Sequence, residues 1–125
     1  MALNDRFAEV QRNARARMVR LRSSMIAATQ VTAGQIERDL KTHAPWVDRT
    51  GNARNGLRAT PAVFKATPDE FEVGIITGHS VEYGIWLEVR WNGRFAIVGP
   101  TTRAWAPRYF QRMERLLAAA ARGGA

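Results

Sequence analysis

The sequence predicts an α+β domain: a long N-terminal helix, an antiparallel sheet of about four strands, and a C-terminal helix packed on the sheet. Three observations carry that prediction. Apolar and small residues recur every three or four positions over residues 3–40, residues 70–77 alternate as a strand does, and helical spacing returns behind a proline near the C-terminus. The 125 residues fit a single domain, residues 1–125, divided into an N-terminal helical region (1–42), a long loop (43–60), the antiparallel sheet (61–103) and the C-terminal helix (104–122).

The first element rests on Leu3, Phe7, Val10, Ala14, Met18, Leu21, Met25, Ala28, Thr32, Ile36 and Leu40, whose spacing is the signature of one buried helical stripe. Asn4 or Asp5 is placed to cap its start, and Pro45 ends it because the residue before a proline disfavours helical dihedrals. Val31, Thr32 and Gly34 weaken the middle; a glycine there costs about 1 kcal/mol relative to alanine, so a kink or a break is expected near it.

The text HAPWVDRTGNARNGLRAT that follows holds two glycines, two asparagines and a proline with no sustained period, and reads as a loop. A loop longer than about 12–15 residues is uncommon in a compact domain and is usually functional. Trp46 within it suits a contact surface better than a solvated loop. Residues 62–65 and 70–77 then read as an antiparallel hairpin, turned by Thr67, Pro68 and Asp69. Residues 81–89 read as one helical turn leading into extended chain. Asn92-Gly93 between residues 89–91 and 94–98 predicts a second hairpin, because both residues tolerate the positive φ of a type I′ turn. Gly99-Pro100 is read as the end of that strand. Residues 106–122 form the final helix, with Tyr109, Phe110, Met113, Leu116 and Leu117 on one face and Pro107 in its first turn, where a missing N–H costs nothing.

Composition bounds the function. A hydrophobic fraction of 46% argues against global disorder, and the absence of cysteine excludes disulfides, thiolate zinc sites and cysteine nucleophiles. No apolar run reaches the roughly 18 residues of a membrane span, and the mixed charge of MALNDRFAEV is unlike a signal peptide, so the expectation is a soluble, unexported protein without a membrane partner. Nineteen Lys and Arg against eleven Asp and Glu give a formal charge of +8, which favours nucleic acid or acidic protein surfaces.

Little in the chain points to catalysis. His43 and His79 lack the spacing of a metal site, Glu82 and Glu88 are better explained by ion pairing than by acid–base work, and neither TGNARNG nor GHSVEYG matches a phosphate-binding loop. No cofactor and no metal are expected, and the protein reads as a non-enzyme. Residues 81–117 instead gather Tyr83, Trp86, Trp91, Phe95, Trp105, Tyr109 and Phe110, the aromatics of a core or of a part built for assembly. Arg12, Arg15, Arg17, Arg20 and Arg22 form the densest charge cluster, with no acidic residue between Arg12 and Arg22. They are a solvated helix face, or a surface for DNA phosphates or an adjacent acidic protein. On the second reading the chain is a small basic DNA-binding module.

Three segments, taken in order, resemble the tail-completion family of tailed bacteriophages, small neck and minor tail proteins similar to minor tail protein Z. APWVDRTGNARNGL at residues 44–57 is similar to the family's Ala-Pro-x-x-x-x-Thr-Gly-x-x-Arg-x-(small)-Leu signature after a long amphipathic helix. HSVEYGIWLEVRWNGRFAIVGP at residues 79–100 resembles its Tyr-(Ala/Gly)-x-x-(aliphatic)-Glu segment, here Tyr83, Gly84, Leu87 and Glu88. Pro107 in RAWAPRYF matches the proline that opens the last helix. The resemblance covers roughly residues 30–117; it departs after Glu88, where the family often has Glu-x-Gly-Thr and this chain has Val89, Arg90 and Trp91. It implies a structural virion protein made in the host bacterial cytoplasm. Its place would be a homo-oligomeric ring, expected to be a hexamer, at the head–tail junction through which DNA passes. The implied partners are other neck and tail proteins, with non-specific DNA contact in the lumen and no catalytic residues. Thr50, Gly51, Arg54, Tyr83 and Glu88 are the matching positions, and with Trp46, Trp86 and Trp91 they form the expected subunit interface. The arginines from Arg12 to Arg22 are the expected contact to DNA or to an adjacent ring.

Overall fold

The computed structural model describes residues 2–45, 52–79 and 96–123. The elements run α1 (Ala2–His43), α2 (Asn52–Asn55), β1 (Leu57–Ala66), β2 (Phe71–His79) and α3 (Val98–Ala121). The α+β class and both long helices are as the sequence predicts. Among the described residues the sheet has two strands, not about four. The expected strand over residues 94–98 gives way, in its described part, to the start of α3: Ile97 is its N-cap and the Thr101 N–H donates to the Ile97 carbonyl at 3.0 Å. Pro100 therefore opens a helix instead of closing a strand, since a first-turn N–H has no partner to lose. Pro107 lies inside α3. Its ring removes one internal hydrogen bond, and Trp105 and Tyr109, two residues to either side, are buried.

α1 is one helix with no break at Gly34, and it already includes Asn4 and Asp5 in its first turn. Asp5 there complements the positive end of the helix dipole. The expected loop 43–60 is shorter than read, because α2 occupies one turn of it and β1 starts at Leu57. β1 and β2 pair antiparallel from Leu57↔His79 to Ala66↔Phe71, with an irregularity at Phe64, between Val63 and Lys65. Their turn is closed by the Thr67 N–H donating to the Glu70 carbonyl at 2.8 Å, the Glu70 N–H donating to Thr67 Oγ1 at 3.0 Å, and a Lys65–Glu70 ion pair at 2.7 Å.

The core joins Ala33, Ile36 and Leu40 of α1 to Leu57 and Ala59 of β1 and to Ile97 and Trp105 at the start of α3. It engages only half of α1. Along the stripe, Thr32, Ile36 and Leu40 are 0%, 4% and 0% exposed, whereas Leu3, Phe7, Val10 and Met18 are 67%, 61%, 63% and 46% exposed. The expectation of one buried stripe over residues 3–40 therefore holds for its C-terminal half alone.

The reason is geometric. α3 runs antiparallel to α1, with Trp105 against Asp39 and Arg112 against Thr32. Since both helices rise equally per residue, α3 ends at Ala121 roughly opposite residue 23 of α1. The β1–β2 turn ends at the same level, where the Arg22 guanidinium lies 5.1 Å over the Phe71 ring and reaches the Pro68 carbonyl at 3.5 Å. Residues 2–20 run on beyond both as about 28 Å of helix.

Candidate functional site

Two surfaces define what the molecule offers: a polar seam that fixes α3 on α1, and the helix that projects beyond it. In the seam, Thr29 and Thr32 are buried. Each donates its hydroxyl proton back along α1, to the Met25 carbonyl at 2.7 Å and the Ala28 carbonyl at 2.8 Å. Their oxygens are left to accept from α3. Tyr109 Oη meets Thr29 Oγ1 at 2.9 Å, and Arg112 Nη1 donates to Thr32 Oγ1 at 2.7 Å and to Gln35 Oε1 at 2.6 Å. Trp105 Nε1 donates to Asp39 Oδ2 at 2.7 Å, and the Arg108 and Arg112 guanidinium groups lie 4.9 and 5.7 Å from the Trp105 ring. Because each buried polar group has a partner, the seam fixes the register of the two helices without leaving an unmet donor. Trp105 and Tyr109 are thus core residues, as one of the two sequence readings has it.

At the other end of α1, Arg54 donates to the Lys41 carbonyl and, at 3.4 Å, to the Ala44 carbonyl. These are carbonyls that the end of a helix leaves without internal partners. Arg54 therefore ties the Ala-Pro…Arg stretch to the helix before it. Glu37 fastens β1 to α1 by accepting from the Ala59 N–H at 3.1 Å and from Lys41 at 3.4 Å. Burial pushes the Glu37 carboxyl up. The Ala59 N–H, the Lys41 ammonium and the Arg58 guanidinium together outweigh it and hold the group below its ordinary value. His43 pairs with Asp39 on the same helix, Nδ1 to Oδ1 at 2.5 Å.

The arginine cluster splits. Arg12, Arg15, Arg17 and Arg20 stand exposed on the projecting part of α1, while Arg22 is spent on the hairpin turn. An apolar groove of about 290 Å³ opens between β2 and α3, lined by Phe64, Val73, Ile75, Tyr109 and Phe110 among others. At Gly74 a Cβ would lie 3.0 Å from the edge of the Phe64 ring, a contact so tight that the ring would have to shift. Among the described residues no group of three acidic or histidine side chains is placed to hold a metal ion, and no helix is long and apolar enough to cross a membrane. The expected interface residues Trp46, Thr50, Gly51, Tyr83, Trp86, Glu88 and Trp91 lie outside the described residues, as does Glu82, so the structure places only Arg54 of that set. Sequence reasoning missed the threonine–tyrosine–arginine seam; its available signal was Thr32 on the stripe with Thr29 beside the stripe, one helical turn away.

Comparison of the chain with protein-family models, curated proteins and solved structures finds no match to any of them.

Proposed function

We propose that the chain is a non-enzymatic structural protein of a tailed-bacteriophage virion, a neck or tail-completion subunit that assembles as a homo-oligomeric ring at the head–tail junction. The observation that carries the reading is the ordered resemblance of APWVDRTGNARNGL, placed directly after a long helix, to the family signature. The Arg54 clamp supports it by giving the signature's arginine a physical task, closing the helix end onto the segment that follows. Subunit contacts through Trp46, Thr50, Gly51, Tyr83, Trp86, Glu88 and Trp91 belong to the same proposal, as does a head-to-tail interface, since a ring closes only when each subunit offers two different patches.

Electron microscopy and sedimentation of the purified chain test the proposal. Rings of uniform subunit number, lost on Trp86→Ala while the far-ultraviolet circular dichroism stays unchanged, are the expected result. A chain that stays monomeric at high concentration and fails to complement joining of phage heads to tails overturns it.

A further inference from the structure

The projecting half of α1 carries a seam with no counterpart among the described residues. At about 100° per residue, Leu3, Phe7, Val10, Ala14 and Met18 fall within an arc of about 80°. That is narrower than the face of a helix laid on a core, and close to the seam of a coiled coil. The arc continues the stripe that α1 buries from Thr32 to Leu40, so the same kind of surface is covered at one end of the helix and open at the other.

The charges around the seam say what covers it. On the same wheel Arg6 and Arg17 border one side and Asn4 and Gln11 the other, with Arg15 just beyond them, while Asp5 and Glu9 fall on the far face. We propose that residues 3–18 of α1 dock a partner helix whose apolar seam is flanked by Asp or Glu. Apolar burial supplies the contact, and the bordering arginines select the acidic flanks.

A second copy of this helix fits poorly. Paired antiparallel, Arg6 of one copy meets Arg17 of the other; paired parallel, the Arg6 and Arg17 edge meets Asn4 and Gln11, which offer it no carboxylate. The first direction sets arginine against arginine, which is how like-charged edges reject a partner, and the second leaves the arginines without acidic flanks. A bilayer would wet a wider arc than this seam offers, and duplex DNA would leave five apolar side chains facing phosphates. The inference stands on the exposed helix and does not depend on the ring.

The test uses the full chain and two synthetic helical peptides of equal length, both with a leucine seam at three- and four-residue spacing, one with Glu and one with Lys along the flanks. The Glu-flanked peptide should bind in fluorescence anisotropy at about 0.1 M salt and the Lys-flanked one should not. Phe7→Glu, at an exposed position that leaves the fold intact, should weaken binding by about tenfold or more. The triple variant Arg6→Glu, Arg15→Glu and Arg17→Glu should reverse the preference between the two peptides. Several outcomes overturn the proposal. One is that neither peptide binds, or that both bind equally. Another is a wild-type dimer that Phe7→Glu dissolves, which would make a second copy the occupant. The others are capture by phosphatidylglycerol vesicles, but not by the peptide, that is lost on Phe7→Glu, and DNA binding that the arginine reversal abolishes while the Glu-flanked peptide fails to bind. Rings that persist in Phe7→Glu would leave the ring reading standing whichever way the peptides behave.

Discussion

The two halves of α1 are one helix with one stripe, yet they live in different environments. From Thr29 to Leu40 the stripe and the residues beside it meet β1 and α3, with Thr29 hydrogen-bonded to the Tyr109 hydroxyl and Thr32 to the Arg112 guanidinium. From Leu3 to Met18 the same spacing meets solvent. The difference teaches that periodicity specifies a face and says nothing of what the face is for. Whether it becomes core depends on where the other elements end, and here α3 and the β1–β2 turn end at the level of Arg22.

Paired truncations should give the largest contrast. Leu40→Ala removes a fully buried side chain and is expected to cost about 2–5 kcal/mol. Phe7→Ala, at an exposed site, should change stability by no more than about 0.5 kcal/mol in the isolated chain. Urea unfolding of the two variants measures both, and a large loss for Phe7→Ala would mean that the projecting half is packed against something within the chain.

A smaller effect separates the halves by pH. Glu37 titrates below its ordinary value in the folded chain, so its contribution is fully present above the unfolded pKa of about 4.3 and is lost as pH falls through the lower folded value. Replacing Glu37 by Gln should flatten the acid side of the stability curve and slightly lower stability at neutral pH, read by thermal melts from pH 3 to 7. An unchanged acid slope would show that the Ala59 and Lys41 contacts do not depend on the carboxylate's charge.

The smallest effect is expected from removing the projecting half altogether. A chain starting at residue 21 should melt within about 3 °C of the full one, because the deleted turns bury almost nothing in the domain. It should also lose the Glu-flanked peptide.

How much of this was legible in the sequence varies element by element, for physical reasons. Both long helices and the first hairpin follow from spacing that their burial requires. β1 reads as loop at its start because its inward side chains, Leu57 and Ala59, are followed by Pro61, and a proline inside a run demotes a strand. α3 begins eight residues before the reading, at Val98 and not Ala106, because Gly99-Pro100 serves a strand end and a helix start equally well. Of the candidate site, the exposure of Arg12, Arg15, Arg17 and Arg20 follows from their density. The capture of Arg22 by Pro68 and Phe71, which are more than forty residues away, follows from no local pattern.

The projecting helix also has a mechanical consequence. A rigid arm of about 28 Å turns a small rotation of the body into a large displacement at its tip, about 2.5 Å for each 5°. Whatever grips Leu3 and Phe7 therefore senses the orientation of the domain far more finely than a contact on the body would. Conversely, a pull at the tip exerts leverage on the Thr29–Tyr109 and Thr32–Arg112 pairs, the nearest cross-helix hydrogen bonds to the point where the arm leaves the body.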